Sequence, residues 1–360
     1  MPNFALESKT TDMINREIIR VKVVQLTYAY YLKGEMNLDK AEKELFFSLS
    51  KAYDLYNYML SLITAVTKES RRHLEVAKIK ALREGTPLPS QKFADNKFAM
   101  QLEDNEMLNS FLEEQNKSWD LHAEFVRKLY LRITDTEFYK EYMASKDDSY
   151  EQDRELWRKI YRTLIQDNDD LNAMLEEESL YWNDDKDIVD TFVLKTIKRF
   201  DEKNGSKQEL LKEYDSEDER DYARRLFRAA ILNADEYQRY MSSHTRHWDF
   251  SRMAFMDIII MQIAIAEIMT FSNIPLGVTI NEYVELAKLY STPRSGGYIN
   301  GMLDSIARDL IQEGKVNKHI NDRKPNVKKR SNRSEAASSE RETTSDRLNE
   351  EETQAAGDQK

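Results

Sequence analysis

Residues Met253–Thr270 read MAFMDIIIMQIAIAEIMT. Between Ile258 and Ile268 only Gln262 and Glu267 interrupt the apolar run, and Asp257 precedes it. A helix that is apolar on nearly every side must be enclosed by other elements, so this stretch reads as the central rod of a helical bundle. It is too short and too polar to span a bilayer, which takes about 20 consecutive apolar residues. An all-α fold follows if the flanking segments are helical as well.

They are. Downstream, after the loop Ser272–Pro275, Thr279 and Glu282 stand at capping-box spacing and predict a helix running to about Leu289. The loop STPRSGG then precedes a last helix from about Tyr298 to Glu313. Upstream, helical patterns cover Asp221–Met241 and Ile188–Phe200. Near the start, residues 13–33 place Ile14, Ile18, Val21, Leu26 and Tyr28 among charges at helical spacing, giving an amphipathic first helix with Arg16, Arg20 and Lys22 on its polar side. From Asp39 a longer helix carries Leu45, Leu49, Ala52, Tyr56, Met59, Ile63 and Val66 along one seam and stops before Gly85–Ser90. Three further patterns, at about 95–116, 118–145 and 150–182, are anchored by residues such as Trp119 and Trp157 and end at the acidic WNDD of Trp182–Asp185.

Composition agrees. With 40% hydrophobic residues, 360 residues can bury a sizeable core, and nine glycines and six prolines are few enough to favour long helices. No GxxxxGK[ST] or GxGxxG phosphate loop occurs. The absence of cysteine excludes disulfides, thiolate metal sites and cysteine nucleophiles, and suits a reducing cytoplasm. The first residues lack an apolar signal region, so neither export nor a membrane partner is expected. A net charge of −11 argues against non-specific nucleic-acid binding, but basic residues cluster near Arg16–Lys22 and Arg323–Arg333. Beyond Lys315 the apolar pattern ends, which predicts a disordered charged tail over 316–360.

One family resemblance stands on particular residues. Ile274, Pro275, Val278, Ile280, Asn281, Glu282, Glu285, Leu286, Ala287 and Lys288, followed by the aromatic-I-N-G-x-L-D element Tyr298–Asp304, resemble the C-terminal half of the NusB family. Val24, Gln25 and Tyr28 look like that family's V-Q-x-x-Y element in its first helix. Two departures accompany the likeness. The arginine-rich start is diluted to Arg16, Arg20 and Lys22, and roughly 180 residues exceed what a short member carries. The domain reading is therefore a first core helix (1–38), a helical insertion (39–216), the remaining core (217–315) and the tail.

The resemblance implies a non-catalytic, two-subdomain helical bundle without cofactor, metal or small-molecule substrate. It would bind the boxA element of single-stranded RNA as a heterodimer with NusE, a small-subunit ribosomal protein, in an antitermination complex on RNA polymerase that promotes ribosomal RNA synthesis. The RNA-contact candidates it brings are Arg16, Arg20, Lys22, Gln25, Tyr28, Arg294, Tyr298 and Asn300. Their chemistry suits the task, since unpaired RNA is held by cations on phosphates and by aromatic faces and amides on bases. Taken without the resemblance, the three cations would be a solvated helix face and the tyrosines core residues. Asp257, Glu267 and Glu285 are candidates for the NusE surface, with ordinary polar pairing as the alternative.

Other chemistries are poorly served. His244 and His247 share a helical face without an evident third metal ligand, and the carboxylates from Asp167 to Glu178 lack an accompanying base. An RNA cytosine methyltransferase, one family of which carries a NusB-like domain, would need a cysteine nucleophile and a glycine-rich cofactor loop. The remaining rival is a protein scaffold in which the insertion, and not RNA binding, carries the function.

Overall fold

A computed structural model describes residues 13–34, 37–214, 216–245, 253–292 and 294–318. Those residues form helices joined by loops, with no strand among them. In chain order the α-helices are α1 (Arg16–Leu32), α2 (Leu38–Glu84), α3 (Lys97–Glu103), α4 (Glu106–Gln115), α5 (Ala123–Asp135), α6 (Glu137–Ala144) and α7 (Tyr150–Ile160). They continue with α8 (Asp169–Glu178), α9 (Lys186–Arg199), α10 (Glu217–Leu232), α11 (Ala234–His244), α12 (Phe255–Thr270), α13 (Leu276–Tyr290) and α14 (Ser295–Gln312). No helix among the described residues is long and apolar enough to cross a membrane. The tail lies outside the described residues from 319 onward.

The bundle is built around α12, whose residues Ile259–Ile268 are all buried. It packs against α1, α10, α11, α13 and α14. Helix α13 begins three residues before the predicted cap. Pro275 is its N-cap residue, where a missing N–H is no loss, and Thr279 is buried inside the helix with its hydroxyl turned onto Glu267.

The segment expected to be an insertion grows from α2, 47 residues and so about 70 Å long. Asn37 caps its start, and Gly85 closes it in a left-handed conformation (φ 65°) that a residue with a Cβ adopts only at a cost. The three predicted patterns that follow are each broken. Asn105, Thr136 and Asn168 accept N–H hydrogen bonds at the starts of α4, α6 and α8. Asn233 separates α10 from α11 without such a cap, its Nδ2 donating back to the Ala229 carbonyl (3.2 Å). After α7 a π-helical turn, Tyr161–Ile165, loosens the carbonyl ladder, and Lys186 Nζ donates to the Gln166 carbonyl (2.5 Å) and to Asp190 (2.7 Å).

The insertion and the bundle share one continuous apolar cluster, from Met13 to Val316. The chain leaving α9 returns alongside the start of α1. Met13 N–H donates to the Lys212 carbonyl (2.8 Å) and Ile14 N–H to that of Glu213 (3.0 Å). Helix α1 is consequently enclosed between the two halves. Ile18 to Val24 are buried without exception, so it is a central helix and not the amphipathic surface helix expected.

Candidate RNA-binding surface and the buried ion pairs behind it

Enclosing α1 forces its cations to find partners, because an isolated buried charge is prohibitively costly. Arg20, 4% exposed, donates from Nε (2.8 Å) and Nη2 (3.0 Å) to the two carboxylate oxygens of Glu267, which is 0% exposed. The same carboxylate accepts hydroxyl hydrogen bonds from Tyr222 (2.5 Å), Thr279 (2.7 Å) and Tyr283 (3.0 Å). Burial by itself would raise the Glu267 pKa, yet the Arg20 hydrogen bonds and charge, helped by Tyr222 and Thr279, hold it below the ordinary carboxylate range. Burial likewise drives both tyrosines well above theirs, so they remain hydroxyl donors.

The other cation faces the insertion. Lys22 is 2% exposed and lies 2.7 Å from Asp185, itself fully buried at the end of WNDD, with the Tyr181 carbonyl 3.3 Å away. Burial pushes Asp185 up to about 6, against the opposing pull of Lys22.

Four expected surface residues are therefore corrected. Arg20 and Lys22 are interior members of ion pairs and do not reach solvent. Glu267 is the centre of the Arg20 network and has no surface to offer a partner protein. Asp257, 8% exposed, accepts from the Ser295 hydroxyl (3.0 Å) and ties the start of α12 to the first turn of α14. Glu285 stays exposed, paired with Lys288 at 2.6 Å.

The other expected RNA contacts fall in two places. Arg16, half-buried, rests over the Tyr222 ring (5.1 Å) at the N-terminal end of α1. Tyr28 lies 12 residues on, about 18 Å along the helix. Its ring packs at 5.4 Å on Phe255, the first residue of α12, and Phe255 is 42% exposed. Tyr298, half-buried, points its hydroxyl at Met253 Sδ (3.4 Å), two residues before Phe255. Tyr28 and Tyr298 thus both contact the start of α12 and its lead-in, at Phe255 and Met253. Arg294, exposed, and Asn300, also exposed, flank Tyr298 at the start of α14. Gln25, one turn before Tyr28, donates from Nε2 to Asp184 Oδ2 (3.1 Å) and to the Tyr290 hydroxyl (3.1 Å).

Sequence reasoning missed Phe255, Tyr222, Asp184 and Asp185. The first belongs to the stretch read as core, and WNDD is read as a helix breaker although two consecutive acids beside a buried tryptophan are what a buried lysine would require. Of the histidine pair, His244 is engaged by the Tyr240 carbonyl (Nδ1, 2.7 Å) and Asp309 (Nε2, 2.9 Å), and His247 lies outside the described residues.

These features define an all-helical bundle around a central buried rod, α12, joined through one apolar cluster to the helices between α1 and α10. Residues 191–308 match the NusB family model. Over 99 residues the chain is 41% identical to the transcription antitermination protein NusB of Koribacter versatilis, covering 28% of this chain and 68% of that one. It is 37% identical to the NusB protein of Salinibacter ruber (28% and 62%) and 33% identical to that of Chloroherpeton thalassium (28% and 47%), again over 99 residues. The chain belongs to the NusB family. The aligned stretch spans between about half and two thirds of these relatives' own length. The family match begins inside α9, upstream of residue 217. No solved structure matches.

Proposed function

We propose that this protein is a transcription antitermination factor that acts by binding and not by catalysis, in the cytoplasm. On this reading it takes boxA-type single-stranded RNA together with NusE, within the antitermination complex of RNA polymerase, and promotes ribosomal RNA transcription. The relatives' printed name supports the role in antitermination. The observation that carries the RNA part is that Tyr28 packs on the partly exposed Phe255 while Tyr298 reaches Met253, two residues before it, with the Gln25 amide one helical turn from Tyr28 and the exposed Arg294 four residues before Tyr298. Unstacked bases are held by such rings at about 1–3 kcal/mol each, while a cation takes the phosphate. The test is binding of boxA-type against scrambled RNA, with and without NusE, over a salt series. Preference for the boxA-type sequence, strengthened by NusE, is expected.

A second reading has its own observation. Because Arg20 and Lys22 are buried in ion pairs, α1 retains only Arg16 of its three expected cations near solvent. A scaffold whose insertion recruits proteins would need no more. Absent or sequence-independent RNA binding in the same experiment would favour it.

A further inference from the structure

Gln25 is held in a way that selects which half of its amide it can present. Asp184, on the loop between α8 and α9, and Tyr290, the last residue of α13, both receive hydrogen bonds from Gln25 Nε2. A tyrosine hydroxyl can accept from the NH2 or donate to the carbonyl, so Tyr290 fits either orientation of the amide. A carboxylate can only accept, so Asp184 fits one. With Nε2 turned to Asp184, Gln25 Oε1 has no hydrogen-bond partner among the described residues and is not buried away from solvent. It is an accessible acceptor one helical turn from Tyr28.

We infer that Asp184 is a positioning residue, supplied by the insertion, that fixes Gln25 as a hydrogen-bond acceptor for the exocyclic amino group of an unpaired adenine, cytosine or guanine. This rests on the RNA-binding reading above and adds to it the chemical class of one recognised base. A free glutamine amide can flip and match donors or acceptors alike, discriminating little. One locked by a carboxylate rejects a base that offers no amino group, since its own acceptor is then left unpaired when water is displaced.

The experiment uses the full chain and a boxA-type RNA in which each adenine, cytosine and guanine is replaced in turn by its amino-lacking analogue: purine riboside, pyrimidin-2-one riboside or inosine. At one position the unaltered protein should lose about ten-fold in affinity. Asp184→Asn, which can turn either way, should reduce that penalty to about two-fold or less, and Asp184→Glu, still acceptor-only, should restore it. Asp184 is exposed, so thermal stability should be unchanged in both variants. Loss of one negative charge can raise the affinity of Asp184→Asn for every RNA alike, which the ratio between analogue and parent cancels. No amino-dependent position in a protein that binds RNA, or a penalty that survives Asp184→Asn, overturns the inference alone. Failure to bind any single-stranded RNA overturns the RNA-binding reading, and this inference with it.

Discussion

Arg20→Met is the perturbation that most directly separates an architectural cation from an RNA-binding one. The methionine keeps much of the aliphatic stem but leaves the Glu267 carboxylate, fully buried, without its counter-charge. Removing one partner of a buried pair typically costs about 3–5 kcal/mol. Here the three hydroxyls of Tyr222, Thr279 and Tyr283 still donate to the carboxylate, so the loss should sit near the lower end, about 3 kcal/mol. Adding Glu267→Gln removes the stranded charge while retaining an oxygen for those hydroxyls. The double variant should therefore recover about 1.5 kcal/mol of the loss, a coupling of the size expected for contacting groups. Urea unfolding at pH 7, with the slope unchanged so that only the midpoint reports, measures all three proteins. RNA affinity of Arg20→Met, taken well below its unfolding transition, should show the salt dependence of the unaltered protein, because a side chain 4% exposed touches no phosphate. A stability loss under about 1 kcal/mol, together with a salt slope reduced by nearly one, would refute the reasoning and return Arg20 to the RNA surface.

Three other outcomes follow from the same geometry. Tyr298→Ala should weaken boxA-type RNA binding by about 1–3 kcal/mol while moving the melting temperature little, since the ring is half-exposed; equal losses in both would make it a core tyrosine. Arg294→Ala should lower the slope of log affinity against log salt by close to one, as expected for a lost phosphate contact, and an unchanged slope would place the RNA elsewhere. For Asp185 the folded pKa, about 6, lies above the value of about 3.9 in an unfolded chain, so the native state holds the extra proton between those values. That contribution is present in acid and is lost as pH rises through about 6; relative to Asp185→Asn, the unaltered protein should gain about 2 kcal/mol from pH 7.5 to pH 4.5. A stability difference between the two that does not vary with pH would show that Lys22 already neutralises the carboxylate in full.

What could be read beforehand depended on the distance between a residue and its partner along the chain. The central α12, the seam of α2 and the stop at Gly85 are local patterns, written in apolar periodicity and a left-handed glycine, and all were legible. The breaks at Asn105, Thr136 and Asn168 were not, because a capping side chain inside an apolar pattern looks like one polar position of a continuous helix until its rotamer is seen. For the proposed site, Tyr28, Gln25 and Tyr298 come from family motifs and lie at least partly open to solvent, whereas Arg20 and Lys22, expected there too, are buried. A cation on a helix looks solvated, and only the fold brings Glu267 against Arg20 and Asp185 against Lys22 from far downstream.

The two ion pairs also bear on the reading of residues 39–216 as an insertion after a first core helix. Arg20–Glu267 fixes α1 to the bundle, and Lys22–Asp185 fixes it to the insertion, so the helix cannot rotate or slide without stranding a charge in the interior. Both pairs lie in the enclosed middle of α1, between Ile18 and Val24, whereas Gln25 and Tyr28 follow immediately where the helix reaches solvent. Rigidity in the buried turns is thereby handed to the exposed ones. The loop that supplies Asp185 to the interior supplies its neighbour Asp184 to Gln25 at the rim, so the insertion and the orientation of that amide are set by the same two consecutive carboxylates. Deleting the insertion should then cost more than its own fold: it would leave Lys22 without its counter-charge and Gln25 free to turn, and α1 would need the solvated cationic face that this sequence has diluted.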